Sequence, residues 1–286
     1  MGPRGAWHDA AMALGTLITV APTGAETAKS AAPGLPVTLD ELVKTARDCQ
    51  DAGASVIHVH VRDDAGESTL DLGRLTDTVA ALRDATDLVV QLSTGGAVGD
   101  PEADRLRVLE AGPDAASLTC GTVNFGDDVF ENRWPFIVTL YQAMQERGVV
   151  PEFECFDLGQ VATVHRLLDK HGPPPGGHVH VDLVLGVPGG LPGTPAAVAA
   201  GVAELPDGAT FSATGIGRSH LPVALAALAH RGNLRVGMED TLTFAPGEPV
   251  VDNAQLVARA AALARLAQRP PLTPDEARAL LGIRGQ

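Results

Sequence analysis

Ser55-Val-Ile-His-Val-His-Val61, a loop at Asp63 to Gly66, helical periodicity from Leu72 to Arg83 and then Leu88-Val-Val-Gln-Leu92 form one strand–helix–strand unit that decides the fold. Both runs are short, apolar and β-branched, as strands covered on both faces are, and the segment between them repeats apolar residues at helical spacing. Working outward, Thr16-Leu-Ile-Thr-Val20 precedes the unit as a first strand, with a helix from Thr38 to about Ala52. Ala115 to Thr119, Glu152 to Phe156, His178 to Leu185, Thr210 to Thr214 and Leu234 to Met238 continue the strands. Helical patterns follow at Pro101 to Leu109, Trp134 to Arg147, Gln160 to Lys170, Thr194 to Leu205, Pro222 to Arg231 and Asn253 to Leu266. Pro270-Pro271 breaks the chain before a short helix at Pro274 to Leu281. Eight strand–helix pairs in roughly 250 residues predict an α/β fold, a (β/α)8 TIM barrel in a single domain. An open doubly wound sheet would place a Gly-rich phosphate turn after its first strand, and Gly24 alone does not make one. No interdomain linker is visible, so residues 14–286 read as one catalytic barrel with its terminal helix. Residues 1–13 form an N-terminal extension, expected to be disordered.

The chain has 286 residues, a formal net charge of −14 and 45% hydrophobic residues, which is globular composition with material for one large core. The acidic excess argues against nucleic acid, because phosphate binding needs a basic face. No run of about 20 apolar residues predicts a membrane span, and the N-terminus lacks the apolar stretch of a secretory signal. Cys49, Cys120 and Cys155 are few and widely spaced, which fits a reducing cytoplasm.

In such a barrel the chemistry belongs where strands run out into the following loops. His58-Val59-His60 closes the second strand and, with period two, sends both imidazoles to one face, where they could hold one metal ion or hydrogen-bond within a partly buried strand. His178-Val179-His180 has the same spacing but opens the sixth strand, so it is expected at the opposite end, structural or exposed. Arg235-Val-Gly-Met-Glu239-Asp240 ends the eighth strand with two adjacent carboxylates, which cannot point the same way. Glu239 could complete a His2Glu site while Asp240 serves as a base, or both could belong to an ordinary acidic loop. Ser93-Thr-Gly95-Gly96 and Gly215-Ile-Gly217-Arg218 could offer backbone N–H groups to a carboxylate or phosphate.

Taken together and in order, Ala21-Pro-Thr-Gly-Ala-Glu26, His58-Val-His-Val-Arg62, Gln91-Leu-Ser-Thr-Gly-Gly96, Ala116 to Phe125, Pro151 to Asp157, Val184 to Gly190, Thr214 to Gly217 and Arg235 to Asp240 resemble the β-keto acid cleavage enzymes, the group that includes 3-keto-5-aminohexanoate cleavage enzyme. The resemblance runs from about residue 16 to 268. It implies a zinc (Zn2+) dependent TIM barrel, often a homotetramer, that takes a 3-keto acid and the co-substrate acetyl-CoA to acetoacetate and a new acyl-CoA. It further implies His58, His60 and Glu239 as metal ligands, Asp240 as base working with Arg235, and Ser93 and Thr119, with Gly95 and Gly96, as groups positioning the substrate carboxylate. Such a metal would polarise the 3-keto oxygen. Loss of a proton from the acetyl-CoA methyl would then supply a carbon nucleophile.

Acidic residues at the positions of Glu26 and Glu154 are similar to those that receive an amine in the family, so a 3-keto acid bearing a cationic group is the leading substrate class. Glu152 competes for the second role, and an ion pair with Arg62 or Arg218 is the plainer use of either carboxylate. Phe211 departs from the Trp of many relatives and leaves pocket shape open. Alternatives are a metal-dependent aldolase or hydrolase on the same barrel, or a non-catalytic small-molecule-binding barrel. The hydrolase plan normally carries its His-x-His on the first strand, not the second.

Overall fold

The computed structural model describes residues 15–283. The N-terminal extension, residues 1–13, lies outside them. Among the described residues, eight parallel strands close a barrel in the order β1-β8-β7-β6-β5-β4-β3-β2. They are β1 (Ile18–Val20), β2 (Val56–Val59), β3 (Val89–Leu92), β4 (Ala115–Thr119), β5 (Val150–Cys155), β6 (His180–Leu185), β7 (Thr210–Gly215) and β8 (Asn233–Val236). Around them run α1 (Leu39–Ala52), α2 (Leu72–Ala85), α3 (Glu102–Arg107), α4 (Trp134–Arg147), α5 (Leu158–His171), α6 (Pro195–Ala203), α7 (His220–Ala229) and α8 (Asn253–Leu266), with α9 (Pro274–Leu281) at the end. The (β/α)8 expectation holds strand for strand.

The differences from the sequence reading have local causes. Thr16 does not join β1; it bridges Pro271 of the C-terminal segment. The predicted helix from Pro101 to Leu109 tightens into a 3-10 turn at Val108–Ala111, which stops at Gly112 with φ 67°. β8 ends before Gly237 because that residue passes against β1: a Cβ there would lie 1.9 Å from the Ala21 carbonyl oxygen. Three segments read as loops or strand tails are two-stranded hairpins: Val61–Arg62 with Ser68–Thr69, Val123–Phe125 with Asp128–Phe130, and Thr243–Ala245 with Glu248–Pro249. All three follow the C-terminal ends of barrel strands and build the upper rim.

The barrel interior is stratified. Its floor is apolar, with Leu17, Val56, Val89, Ala115 and Val150 packed against Leu272, Ala277 and Leu281, so α9 plugs the bottom. Threonine at 273 starts that plug with a reciprocal capping box to Glu276. Above the floor the buried side chains turn polar: His58, Gln91, Ser117, Glu152, Glu154, Asp182, Thr214 and Arg235. Burial of that many polar groups requires that they bond to one another, and it marks the upper barrel as the place where stability yields to chemistry.

Candidate active site

His58 on β2 and His60 just beyond it lie side by side, with ring centroids 5.4 Å apart. Register sets His58 opposite Gln91 of β3, and His58 Nδ1 lies 2.6 Å from Gln91 Oε1. With the proton on Nδ1 donated to that amide oxygen, Nε2 keeps its lone pair for another partner. Nε2 of His58 and of His60 lie 3.9 and 3.7 Å from Glu239 Oε1. Burial pushes both imidazoles below their ordinary pKa, His58 to about 3, so both are neutral. Burial alone would raise Glu239, but the charge of Arg235 beside it brings it down to about 2. Two neutral imidazoles and one ionised carboxylate converging on a point are the donor set of a divalent metal. Glu239 Oε2 is buried without a hydrogen-bond partner among the described residues, which leaves the carboxylate an atom to give.

Arg235 is the hub beside this cluster. Its Nη1 donates to Glu154 Oε1 at 3.2 Å and its Nη2 to Asp240 Oδ1 at 3.0 Å. Its Nη2 also bonds Glu239. The remaining oxygen of Glu154 accepts from the Thr119 hydroxyl at 3.0 Å. Burial raises Asp240 to about 7 although Arg235 opposes the shift, and burial likewise raises Glu154 to about 7 against Arg235. Asp240 is thus held by a guanidinium fork with its carboxyl raised toward neutral pH, the combination a general base needs.

These groups open on a cavity of about 300 Å³ lined by Glu26, His58, His60, Ser93, Gly95, Gly96, Glu154, Arg235, Glu239 and Asp240. Ten of the eleven residues predicted for the site thus face one space. Thr119 is the exception: it does not line the cavity, and its hydroxyl is given to Glu154. The two carboxylates expected to receive an amine also separate. Glu154 is buried, with one oxygen on Arg235 and the other on Thr119, whereas Glu26 is exposed at the mouth. Glu152, the competitor, lies deeper, where burial and the nearby Asp182 carboxylate raise it well above the ordinary range.

In the Gly215–Arg218 turn the Gly217 N–H is not free for an anion, since it donates to the Asp240 carbonyl at 2.7 Å and so pins the chain beside Asp240. Phe211 packs over Gly232 in the outer core and does not line the cavity, so its departure from Trp leaves the pocket untouched. Sequence reasoning missed the apolar half of the wall. Phe125, Phe130 and Phe156 meet edge-on with centroids 6.3 and 6.1 Å apart, joined by Val184, Val187 and Ile216. The signal was present as aromatic residues clustered at 125–130 in a chain with only 3% aromatics.

The lower pair behaves otherwise. His178 Nε2 and His180 Nδ1 each lie 2.7 Å from the one Thr210 hydroxyl, and His180 Nε2 lies 3.0 Å from Ser212 Oγ. His180 is structural and buried, not exposed.

Fold and site define a TIM barrel with a His2Glu donor set and a buried, arginine-held carboxylate at its C-terminal face. A family model described as beta-keto acid cleavage enzyme matches residues 16–283, and the chain belongs to that family. It is 39% identical to the 3-keto-5-aminohexanoate cleavage enzyme of Acetoanaerobium sticklandii over 273 residues, covering 93% of this chain and 98% of the relative. It is 38% identical to the enzyme of the same name from Fusobacterium nucleatum, covering 94% and 98%. The solved ternary complex of ObcA with a C4-CoA adduct and oxalate shares the fold, with TM-score 0.75 and 19% identity, over 87% of this chain and 68% of that one. The chain is accordingly an enzyme of CoA-linked β-keto acid exchange. Among the described residues, no helix is long and apolar enough to cross a membrane.

Proposed function

We propose that this chain is a zinc-dependent enzyme converting a 3-keto acid and acetyl-CoA into acetoacetate and a new acyl-CoA. The observation that carries the reading is the convergence of His58, His60 and Glu239 beside the Arg235–Asp240 pair in one cavity. Zinc held by those three side chains would supply Lewis acidity toward a ketone oxygen. Asp240 takes the proton from carbon, and Arg235 holds both its oxygens in register while stabilising its charge. The rim of Ser93, Gly95 and Gly96 faces the substrate carboxylate. Exposed Glu26 faces the far end of the substrate, where an ammonium group is the complementary chemistry, as in the 3-keto-5-aminohexanoate of the relatives.

Atom balance corrects one expected step. Attack by the acetyl-CoA methyl carbon on the ketone would lead to a 3-ketoacyl-CoA and acetate, not to acetoacetate. The proton removed is therefore the one on C2 of the keto acid, the more acidic carbon because it lies between ketone and carboxylate. That carbon attacks the acetyl thioester and expels the CoA thiolate, the thiolate adds to the original ketone carbon, and the C2–C3 bond of the original acid breaks, its electron pair on C2 taking back the proton that Asp240 removed. The acetyl group becomes C3 and C4 of acetoacetate, and all atoms are accounted for.

The test is metal analysis of protein purified without chelators, paired with acetoacetate formation from acetyl-CoA and a panel of 3-keto acids. About one zinc per chain and CoA-dependent acetoacetate are expected. Absence of divalent metal contradicts the site, and metal without CoA-dependent product favours an aldolase or hydrolase. Asp240→Asn is expected to retain zinc and lose about 10²–10⁴-fold in kcat. Glu26→Gln is expected to lose activity on amine-bearing substrates only. Homo-oligomer formation is also proposed, supported by Leu221 and Leu225, which stand exposed one turn apart on α7. The buried free thiols of Cys49, Cys120 and Cys155 support a cytoplasmic setting.

A further inference from the structure

Arg62 follows His60 by two residues and is only 7% exposed. Its donors go to main-chain carbonyls. Nε and Nη2 reach Gly24 at 3.1 and 2.7 Å, Nη2 also reaches Thr27 at 3.0 Å, and Nη1 reaches Gly66 at 3.0 Å. Gly24 and Thr27 bracket Glu26, so one guanidinium grips the chain on both sides of the acidic residue at the cavity mouth. The other side of this loop is closed as well. Gly24 has φ +66°, and a Cβ there would lie 2.8 Å from Glu239 Cγ, so the loop is wedged between Arg62 and a proposed metal ligand. The Thr23 hydroxyl, donating to the Pro36 carbonyl at 2.9 Å, fixes where the loop leaves β1.

This arrangement separates position from charge. Glu26 is exposed, so neighbouring side chains do not enclose its carboxylate, and its placement has to come from its backbone. Arg62 brings a positive charge near the place where a cationic group would sit, yet its fork is occupied by carbonyl dipoles. What it contributes is geometry.

We propose that Arg62 is a positioning residue that holds Glu26 at the distance where it recognises a cationic tail, and thereby sets preference for amine-bearing 3-keto acids. The proposal rests on Glu26 as the amine-recognising group. Lysine at this position keeps the charge and loses the planar fork, so Arg62→Lys isolates the geometric role.

The readout is the ratio of kcat/KM for an amine-bearing 3-keto acid to that for its des-amino analogue of equal length, with zinc content measured on the same samples. Arg62→Lys is expected to lower the ratio about tenfold through KM of the amine substrate. Zinc content and kcat/KM on the analogue are expected to stay within about threefold. An unchanged ratio, or a parallel fall on both substrates with loss of zinc, overturns the proposal. Glu26→Gln is the reference. If it leaves the ratio unchanged, the amine reading fails and takes this proposal with it; if it flattens the ratio while Arg62→Lys does not, this proposal alone fails. Arg62→Gln carries the same expectation should the lysine variant not fold, and failure of both to fold makes Arg62 a folding residue and overturns the assignment.

Discussion

His58-Val59-His60 and His178-Val179-His180 are spelled alike, yet they meet opposite fates in one barrel. The first pair ends its strand, faces a carboxylate at the mouth, and has one ring nitrogen oriented by Gln91. The second begins its strand and is absorbed by hydroxyls, with Thr210 between the two rings. Even the carboxylates beside them differ. Glu239 is ionised under the charge of Arg235, while Glu152, 3.7 Å from His180, is driven toward its neutral form by burial and by Asp182. Spacing makes a pair of histidines; strand polarity and the charge of the neighbours decide whether that pair can hold a metal.

Perturbing the two pairs in parallel sharpens the contrast. The largest effect is expected from His58→Ala, which removes a donor from the upper cluster. Acetoacetate formation should fall more than about a thousandfold, since the site would lose its metal. A loss below tenfold in the steady-state assay would erase the distinction between the pairs. Gln91→Ala comes next. It leaves every proposed ligand in place but frees the His58 ring, so zinc affinity measured by competition with a chelator should weaken about 10–100-fold. Unchanged affinity would show that the ring needs no orientation from β3.

The smallest effect belongs to the lower pair and is read in stability, not activity. Burial depresses His180 to about 3 from an ordinary 6.5, so the unfolded chain takes up a proton first as pH falls. The contribution of neutral, buried His180 is complete above about pH 6.5 and is lost progressively down to about pH 3. Its slope is on the order of 1.4 kcal/mol per pH unit at most. His180→Gln should flatten the decline of unfolding free energy between pH 6.5 and 4.5 in denaturant titrations. An unaltered slope would place the acid sensitivity elsewhere.

Much of this was legible in the chain. Short apolar, β-branched runs at 56–59 and 89–92, separated by helical periodicity, specify parallel strands, and position along a strand told the upper histidine pair from the lower. Arg235, Glu239 and Asp240 were readable as a strand ending in charge. What stayed hidden depends on contacts between distant segments. Gln91 acquires its role only through the register that sets it opposite His58. That the Thr119 hydroxyl goes to Glu154 follows only from the β4–β5 pairing that sets the two side by side. The apolar sequence of α9 shows that the helix is amphipathic, but not that it closes the barrel floor against Leu17 and Val150. Arg62 was readable only as an ion-pair partner for Glu26 or Glu154, because its acceptors are carbonyls 38 and 35 residues upstream and 4 downstream.

On the proposed assignment only the upper pair belongs to a metal centre. That assignment is tested most directly by metal analysis of His60→Ala and His178→Ala, purified side by side without chelators. His178→Ala is expected to keep about one zinc per chain, the content expected of the wild type, while His60→Ala is expected to retain less than about a tenth of that. Equal zinc in the two variants, or its loss from His178→Ala alone, would contradict it.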